Sequence, residues 1–146
     1  MMIKSFEMTP IMRFGTDLLM KMIYAGMPMG PLKLLTVRGR KSGKEYTTPV
    51  ALVVKGDERW IVAAFGEVGW VRNIRALGQA ELKQGQNSET IHVTEISHKE
   101  PAPILKTFLR RFGIVPFIPP YFNTTSDSSL ADFEREAKNH PVFKIV

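Results

Sequence analysis

The residues from Arg38 to Pro49, RGRKSGKEYTTP, bring four cationic side chains, two glycines, one serine and two threonines together. Such a mixture suits an anion. Arg holds phosphate or carboxylate through two parallel hydrogen bonds, glycine lets backbone amides approach a ligand closely, and Ser42 adds a hydroxyl donor. A Walker phosphate loop is excluded by spacing. Its glycines enclose four residues and its lysine precedes Ser or Thr, whereas Gly39 and Gly43 enclose three and Lys44 precedes Glu45. The plain alternative is a solvated hairpin tip with cations for solubility.

A second stretch, AAFGEVGWVRNIRA, begins at Ala63. Ala63 and Ala64 are small residues at a strand end, where backbone can lie against a flat ring. Trp70, Asn73 and Ile74 recur at helical spacing, so Trp70 and Asn73 share a face. The helix start near Gly69 offers unbonded amides to an anion. Taken alone, Trp70 reads as a packing residue.

Other chemistry is scarce. His92, His98 and His140 are scattered and cysteine is absent, so no metal-ligand spacing emerges; exposed or structural histidines are the expectation. Neither a nucleophile elbow nor a carboxylate pair stands out. If the chain is an enzyme, a cofactor carries the chemistry.

The net charge of +6 is local. Residues 1–44 hold eight Lys/Arg against Glu7 and Asp17, leaving the remainder neutral. An anionic partner is implied. Nucleic acid is not expected, because that partner calls for aromatics interleaved with cations along an exposed face, and the aromatics here fall in runs that look buried. With 44% hydrophobic and 23% charged residues, a globular domain is expected rather than a disordered chain. The absence of cysteine is compatible with a reducing, cytoplasmic setting, and the N-terminus lacks the pattern of a secretory signal.

These residues need positioning. Apolar spacing predicts a helix over Ile11–Tyr24, stopped by Gly26, Pro28, Gly30 and Pro31. LKLLTV from Leu32, EYTTPVALVV from Glu45 and RWIVAAF from Arg59 predict an antiparallel meander. Pro49, inside the second run, predicts a bulge or an edge. A helix over Gly69–Leu77 ends at Gly78. QAELKQ and ETIHVTEI flank a GQNS turn as a second hairpin, with Thr90, His92 and Thr94 alternating against Ile91, Val93 and Ile96. Further helices are predicted over Pro103–Phe112 and, capped by Ser129 or Asp127, through Lys138. IVPFIPPYFNTTSDSS is taken as a loop and HPVFKIV as a final strand. The whole is one α+β domain, mainly β, over residues 1–146: a segment 1–31, a core 32–96, and helices, loop and strand over 97–146. An antiparallel barrel or sheet with flanking helices follows.

In combination, GRKSGKEYTTPVALV, the strand ending VAAFG, WVRNIRALGQAEL and HPVFKIV resemble the deazaflavin-dependent nitroreductase family of quinone reductases. The similarity runs over residues 32–96 and the last seven. It implies a split β-barrel like that of proteins binding flavin mononucleotide (FMN), with coenzyme F₄₂₀ in a groove and FMN as the alternative cofactor. Carried onto this chain, Arg38, Gly39, Arg40, Lys41, Ser42 and Gly43 would grip the phosphate and acidic tail. Thr48, Pro49 and Val50 would line the deazaflavin ring, Ala63, Ala64 and Phe65 would approach it through backbone, and Trp70, Arg72 and Asn73 would close the tail side. The implied reaction is hydride transfer to a flat, electron-poor acceptor such as a quinone; the alternative is a non-catalytic binder or carrier of F₄₂₀, flavin or a fatty acid on the same barrel. Relatives bring tyrosines to the substrate pocket where this chain has Ala51, so Tyr24, Tyr46 and Tyr121 are the substitutes to consider. A homodimer is compatible with the resemblance. The Met-rich N-terminal helix is expected to pack in the core, with cover of the pocket or peripheral membrane contact as alternatives.

Overall fold

A computed structural model describes residues 32–113 and 118–146, together with Pro10, Asp17, Leu18, residues 20–22 and Ala25. Asp17, Leu18 and residues 20–22 are helical, as the periodicity predicts, and the Ala25 N–H donates to the Lys21 carbonyl at 3.0 Å. The rest of the predicted N-terminal helix, Tyr24 included, lies outside the described residues, and so do its proposed contacts.

Six antiparallel strands close a barrel: β1 (Leu32–Arg38), β2 (Glu45–Lys55), β3 (Glu58–Val62), β4 (Gln79–Gln84), β5 (Asn87–Ile96) and β6 (Val142–Ile145). Their order around it is β1-β2-β3-β6-β5-β4. Helix α1 (Gly69–Leu77) joins β3 to β4, while α2 (Pro101–Phe112) and α3 (Leu130–Glu136) lie between β5 and β6 in sequence.

Side chains alternate across each strand, and the two faces feed two cores. Leu35, Val50, Leu52, Ile61, Leu82, Ile91 and Phe143 point inward from all six strands, with Val71 and Ile74 of α1 completing that cluster. Val53, Trp60, Val62 and Val142 point outward and are covered by Leu105, Phe108, Phe122 and Phe133. Strands buried on both faces read as unbroken apolar runs, which is why LKLLTV shows no alternation.

Two long strands each serve two sheets. Residues 45–51 of β2 pair with β1 and residues 52–55 with β3. Likewise residues 87–92 of β5 pair with β4, and residues 93–96 with β6. Among the described residues, 45–51 therefore pair on one side only. Pro49, opposite Leu34, sits in this stretch, where the missing N–H is tolerated; the edge is found rather than the bulge.

Several boundaries differ from the sequence reading for local reasons. The β4–β5 turn is only Gly85 and Gln86, because Gln84 pairs with Asn87 and Gly85 takes the positive φ of 59° that the first position of a type II′ turn requires. Helix α2 begins at Pro101 rather than Pro103, since proline is well suited to the first helical position. Helix α3 is capped by Ser129, whose Oγ accepts the Asp132 N–H while the Asp132 carboxylate accepts the Ser129 N–H. It gives way at Glu136 to a 3₁₀ turn, Ala137–Asn139. The predicted Pro-rich loop contains a 3₁₀ turn, Pro119–Tyr121, and buries Ile118, Tyr121, Phe122 and Thr124.

Candidate functional site

The cationic turn closes the β1–β2 hairpin between paired Arg38 and Glu45. Its glycines shape the turn instead of offering amides. The Gly39 N–H donates to the Lys44 carbonyl at 2.7 Å and the Gly43 N–H to the Gly39 carbonyl at 3.0 Å. Gly43 has φ of 72°, and a Cβ on Gly39 would stand 2.8 Å from Ser42 Oγ and 2.9 Å from Tyr46 Cε2. The Lys44 N–H donates to Ser42 Oγ at 3.2 Å. Among the described residues, the amides left without an internal acceptor here are those of Lys41 and Ser42, at the tip.

The cations differ in freedom. Arg38 faces Glu45 at 3.8 Å, both exposed. Among the described residues Lys41 and Lys44 have no ion pair, and Arg40 meets only a neutral group, Asn73. Two amides, two ammonium groups and a guanidinium are therefore available to an anion, with the Ser42 O–H as a further donor. This donor set suits an anion such as a phosphate or a carboxylate.

Helix α1 meets the turn through Asn73, which is buried. Asn73 Oδ1 accepts the Arg40 main-chain N–H at 3.1 Å and its guanidinium Nη1 at 2.8 Å. Helix α1 starts without a side-chain cap or an acidic residue in its first turn, which leaves its positive end open to an anion. Trp70 is half-buried with its ring 6.0 Å from that of Phe143. Arg72 is exposed and has no ion pair among the described residues. Arg75, by contrast, is committed: hydrogen bonding to Glu95 (2.7 and 2.9 Å) and then to Glu67 raises its pKa above the ordinary arginine value.

The ring-lining candidates are divided between the two faces of β2. Val50 faces the barrel interior and is buried; Thr48 shares its face by alternation and is half-buried. Pro49 and Ala51 face the other way, and Ala51, like Ala64 and Phe65, packs against the outer cluster. Ala63 is buried. Its N–H is taken by the Pro141 carbonyl at 2.9 Å, and the Ala64 N–H by the Val62 carbonyl at 3.1 Å, so neither amide is left for a ring. Of the tyrosines, Tyr46 stands 51% exposed beside Gly39, while Tyr121 is buried with its ring 4.9 Å from Phe65.

A family model for F₄₂₀H₂-dependent quinone reductases matches residues 19–112. The chain belongs to this family. It is accordingly an F₄₂₀H₂-dependent oxidoreductase with coenzyme F₄₂₀ as cofactor, and a quinone acceptor fits the family. No curated protein matches the chain by sequence. Among solved structures, an F₄₂₀H₂-dependent reductase is 22% identical with a TM-score of 0.53, covering 80% of this chain and 94% of its own. A protein solved as a domain-swapped dimer is 19% identical with a TM-score of 0.55, covering 94% and 100%. A protein assigned to 5-nitroimidazole antibiotic resistance, from Bacteroides thetaiotaomicron, is 12% identical with a TM-score of 0.55, covering 86% and 77%. At such identities the likeness concerns the fold, a split barrel of the flavin-binding type. Among the described residues, no helix is long and apolar enough to cross a membrane.

Lys44, one of the four cations of the motif, has no ion pair among the described residues and so joins Arg40 and Lys41, a place that the family resemblance does not give it. The sequence reading passes over one contact. Buried His140 meets the Ala63 carbonyl through Nδ1 and Glu136 through Nε2, and only the i, i+4 spacing of Glu136 and His140 hints at their contact.

The Asn73 tie has a measurable consequence. Asn73→Ala should cost about 1–2 kcal/mol in urea unfolding and weaken F₄₂₀ binding about tenfold by releasing the turn from α1. Asn73→Asp, which keeps an acceptor oxygen, should restore most of the affinity.

Proposed function

We propose that the β1–β2 turn and the start of α1 together grip the phosphate and acidic tail of F₄₂₀, and that the acceptor reduced is a quinone. The observation that carries this reading is the Asn73–Arg40 tie (2.8 and 3.1 Å), which joins the turn bearing Arg40, Lys41 and Lys44 to a helix whose start is uncapped. Arg40, Lys41 and Lys44 neutralise the tail, and the Lys41 and Ser42 amides and the Ser42 hydroxyl donate to phosphate oxygens. Arg38 contributes at longer range from its loose pair with Glu45. Trp70 and Arg72 border the same end from α1.

The ring end of the groove runs along the one-sided stretch of β2 at Thr48, Pro49 and Val50, with Ala64 and Phe65 opposite. Ala63 supports it from within the core, and its small side chain and that of Ala64 leave room for a flat ring. When bound, the reduced deazaflavin supplies a hydride to the acceptor. The chain's task is to fix the ring edge toward the acceptor and to exclude water, which the apolar surface of Ala51, Ala64 and Phe65 does. Among the described residues, Tyr46, exposed beside the turn, is the tyrosine accessible to a ligand. A second copy of the chain is the expected protein partner, a reading supported by the relative solved as a domain-swapped dimer.

The test is oxidation of F₄₂₀H₂ by menadione, followed through recovery of the oxidised deazaflavin absorbance, at about one turnover per second or faster. Reduced FMN should not substitute. Tight F₄₂₀ binding without oxidation by any quinone would overturn the quinone assignment.

A further inference from the structure

One buried ionisable pair has no part in the grip. His140 and Glu136 are only 1% and 3% exposed. His140 Nε2 lies 2.8 Å from Glu136 Oε1, and Nδ1 lies 3.3 Å from the Ala63 carbonyl oxygen. The imidazole is stacked on Phe122 with centroids 3.8 Å apart and an interplanar angle of 8°. Glu136 Oε1 also accepts the Asn123 N–H at 3.2 Å.

Both partners of this imidazole are acceptors. A neutral imidazole has one N–H, so it cannot donate to the carbonyl and to an ionised carboxylate at once. Both contacts are made when the pair holds one further proton, as imidazolium with carboxylate or as imidazole with carboxylic acid. In either form Nδ1–H donates to Ala63, and the pair as a whole is neutral, which limits the cost of burying it.

The segment that this bond reaches is tied to residues 139–141 elsewhere too. The Ala63 N–H donates to the Pro141 carbonyl at 2.9 Å. Gly66, whose N–H donates to the Ala63 carbonyl at 3.2 Å, has φ of 87° and lies so close to the Asn139 carbonyl that a Cβ would come within 3.3 Å of it. The C-terminal segment thus clamps residues 63–66 from beneath.

We propose that His140 is a positioning residue for hydride transfer: with the proton it shares with Glu136, it fixes the Ala63 carbonyl and so sets residues 63–66 against the coenzyme ring. The proposal rests on the groove reading given above. Its geometric half, the clamp, can be tested without coenzyme.

The experiment compares the wild type, Glu136→Gln, and Glu136→Gln with His140→Phe, measuring F₄₂₀ affinity, the steady-state constants, and hydrogen exchange at the Gly66 amide without ligand. Glu136 makes both contacts through Oε1; in Glu136→Gln a turn of the side-chain amide lets its N–H donate to Nε2 while its oxygen stays toward the Asn123 N–H, leaving Nδ1–H on Ala63 with no extra proton. This variant should keep F₄₂₀ affinity and Gly66 exchange within about twofold of wild type. The double variant keeps a ring on Phe122 and leaves no buried charge, but has no donor for Ala63. Its Gly66 exchange should quicken and its F₄₂₀ affinity fall about five- to tenfold, with the quinone KM unchanged. Gly66 exchange and F₄₂₀ affinity equal to those of Glu136→Gln would overturn the proposal. A wild type that fails to bind F₄₂₀ overturns the groove and the positioning role, while the exchange comparison still decides the clamp. Should the double variant not fold, ¹⁵N NMR of the His140 ring in the wild type and Glu136→Gln decides instead: Nδ1 must carry the proton in both, and a bare Nδ1 sinks the idea.

Discussion

Replacing Arg40 and Lys41 together by alanine is expected to weaken F₄₂₀ binding about a hundredfold or more while leaving the unfolding midpoint nearly unchanged. Each charge-assisted hydrogen bond to an anion is worth about 1.5–3 kcal/mol, so losing two exceeds the 2.7 kcal/mol or so that a hundredfold represents. Little stability is at stake, because both side chains are exposed and Lys41 has no partner among the described residues. Asn73 Oδ1 keeps the Arg40 main-chain N–H, so the buried amide oxygen is not orphaned by the change. The wild-type affinity should also decline with added salt, since the grip is exposed to screening. Fluorescence titration at two ionic strengths, with thermal unfolding of the same samples, measures all three quantities.

The other large effect lies in the barrel. Phe143→Ala should destabilise the chain by about 3–5 kcal/mol, the usual cost of removing a buried Phe. Phe143 is 1% exposed, pairs with Ile61 and Glu95 on the neighbouring strands, and touches Trp70 across the barrel end. A loss of this size is a large share of a typical domain's stability of about 5–15 kcal/mol. It should lower Tm by about 10 °C and weaken F₄₂₀ binding as well, because Trp70 and the start of α1 lose their support. Val146→Ala, three residues further on and 70% exposed, should stay within about 0.5 kcal/mol. Equal effects of the two in urea unfolding would refute the closed barrel.

What could be read from the sequence follows how local each determinant is. The hairpin turns at Gly43 and Gly85, the αL stop at Gly78 and the Ser129 cap are set by adjacent residues, and each stands where the pattern places it. The closure of the barrel is not local. Nothing within Glu45–Lys55 tells that its first seven residues pair with β1 and its last four with β3, a hand-over fixed by strands distant in sequence. The family motifs carry that information indirectly, and they lead to the split barrel.

The site was legible in the same uneven way. Arg40 and Asn73 belong to separate motifs 33 residues apart, and the structure joins them by two hydrogen bonds. The glycine amides of the turn, expected to meet an anion, are spent on closing the turn. Ala63 and Ala64 have their amides bonded within the chain, so what they offer a ring is small size. Tyr121 is drawn into the core by Phe65, a long-range contact that composition cannot announce. The buried pair of Glu136 and His140 was hidden for a similar reason: one turn of helix suggests their contact, but the Ala63 carbonyl is 77 residues from His140.

The account's central claim is that the cationic turn holds the anionic tail of the coenzyme. Its most direct test titrates the wild type and the Arg40→Ala, Lys41→Ala variant with F₄₂₀ and with the deazaflavin chromophore lacking phosphate and tail. The account predicts that wild type prefers F₄₂₀ by about a hundredfold and that the variant binds the two within a few-fold of each other, a coupling expected of direct contact. A preference for F₄₂₀ that persists undiminished in the variant would contradict it and move the grip elsewhere on the barrel.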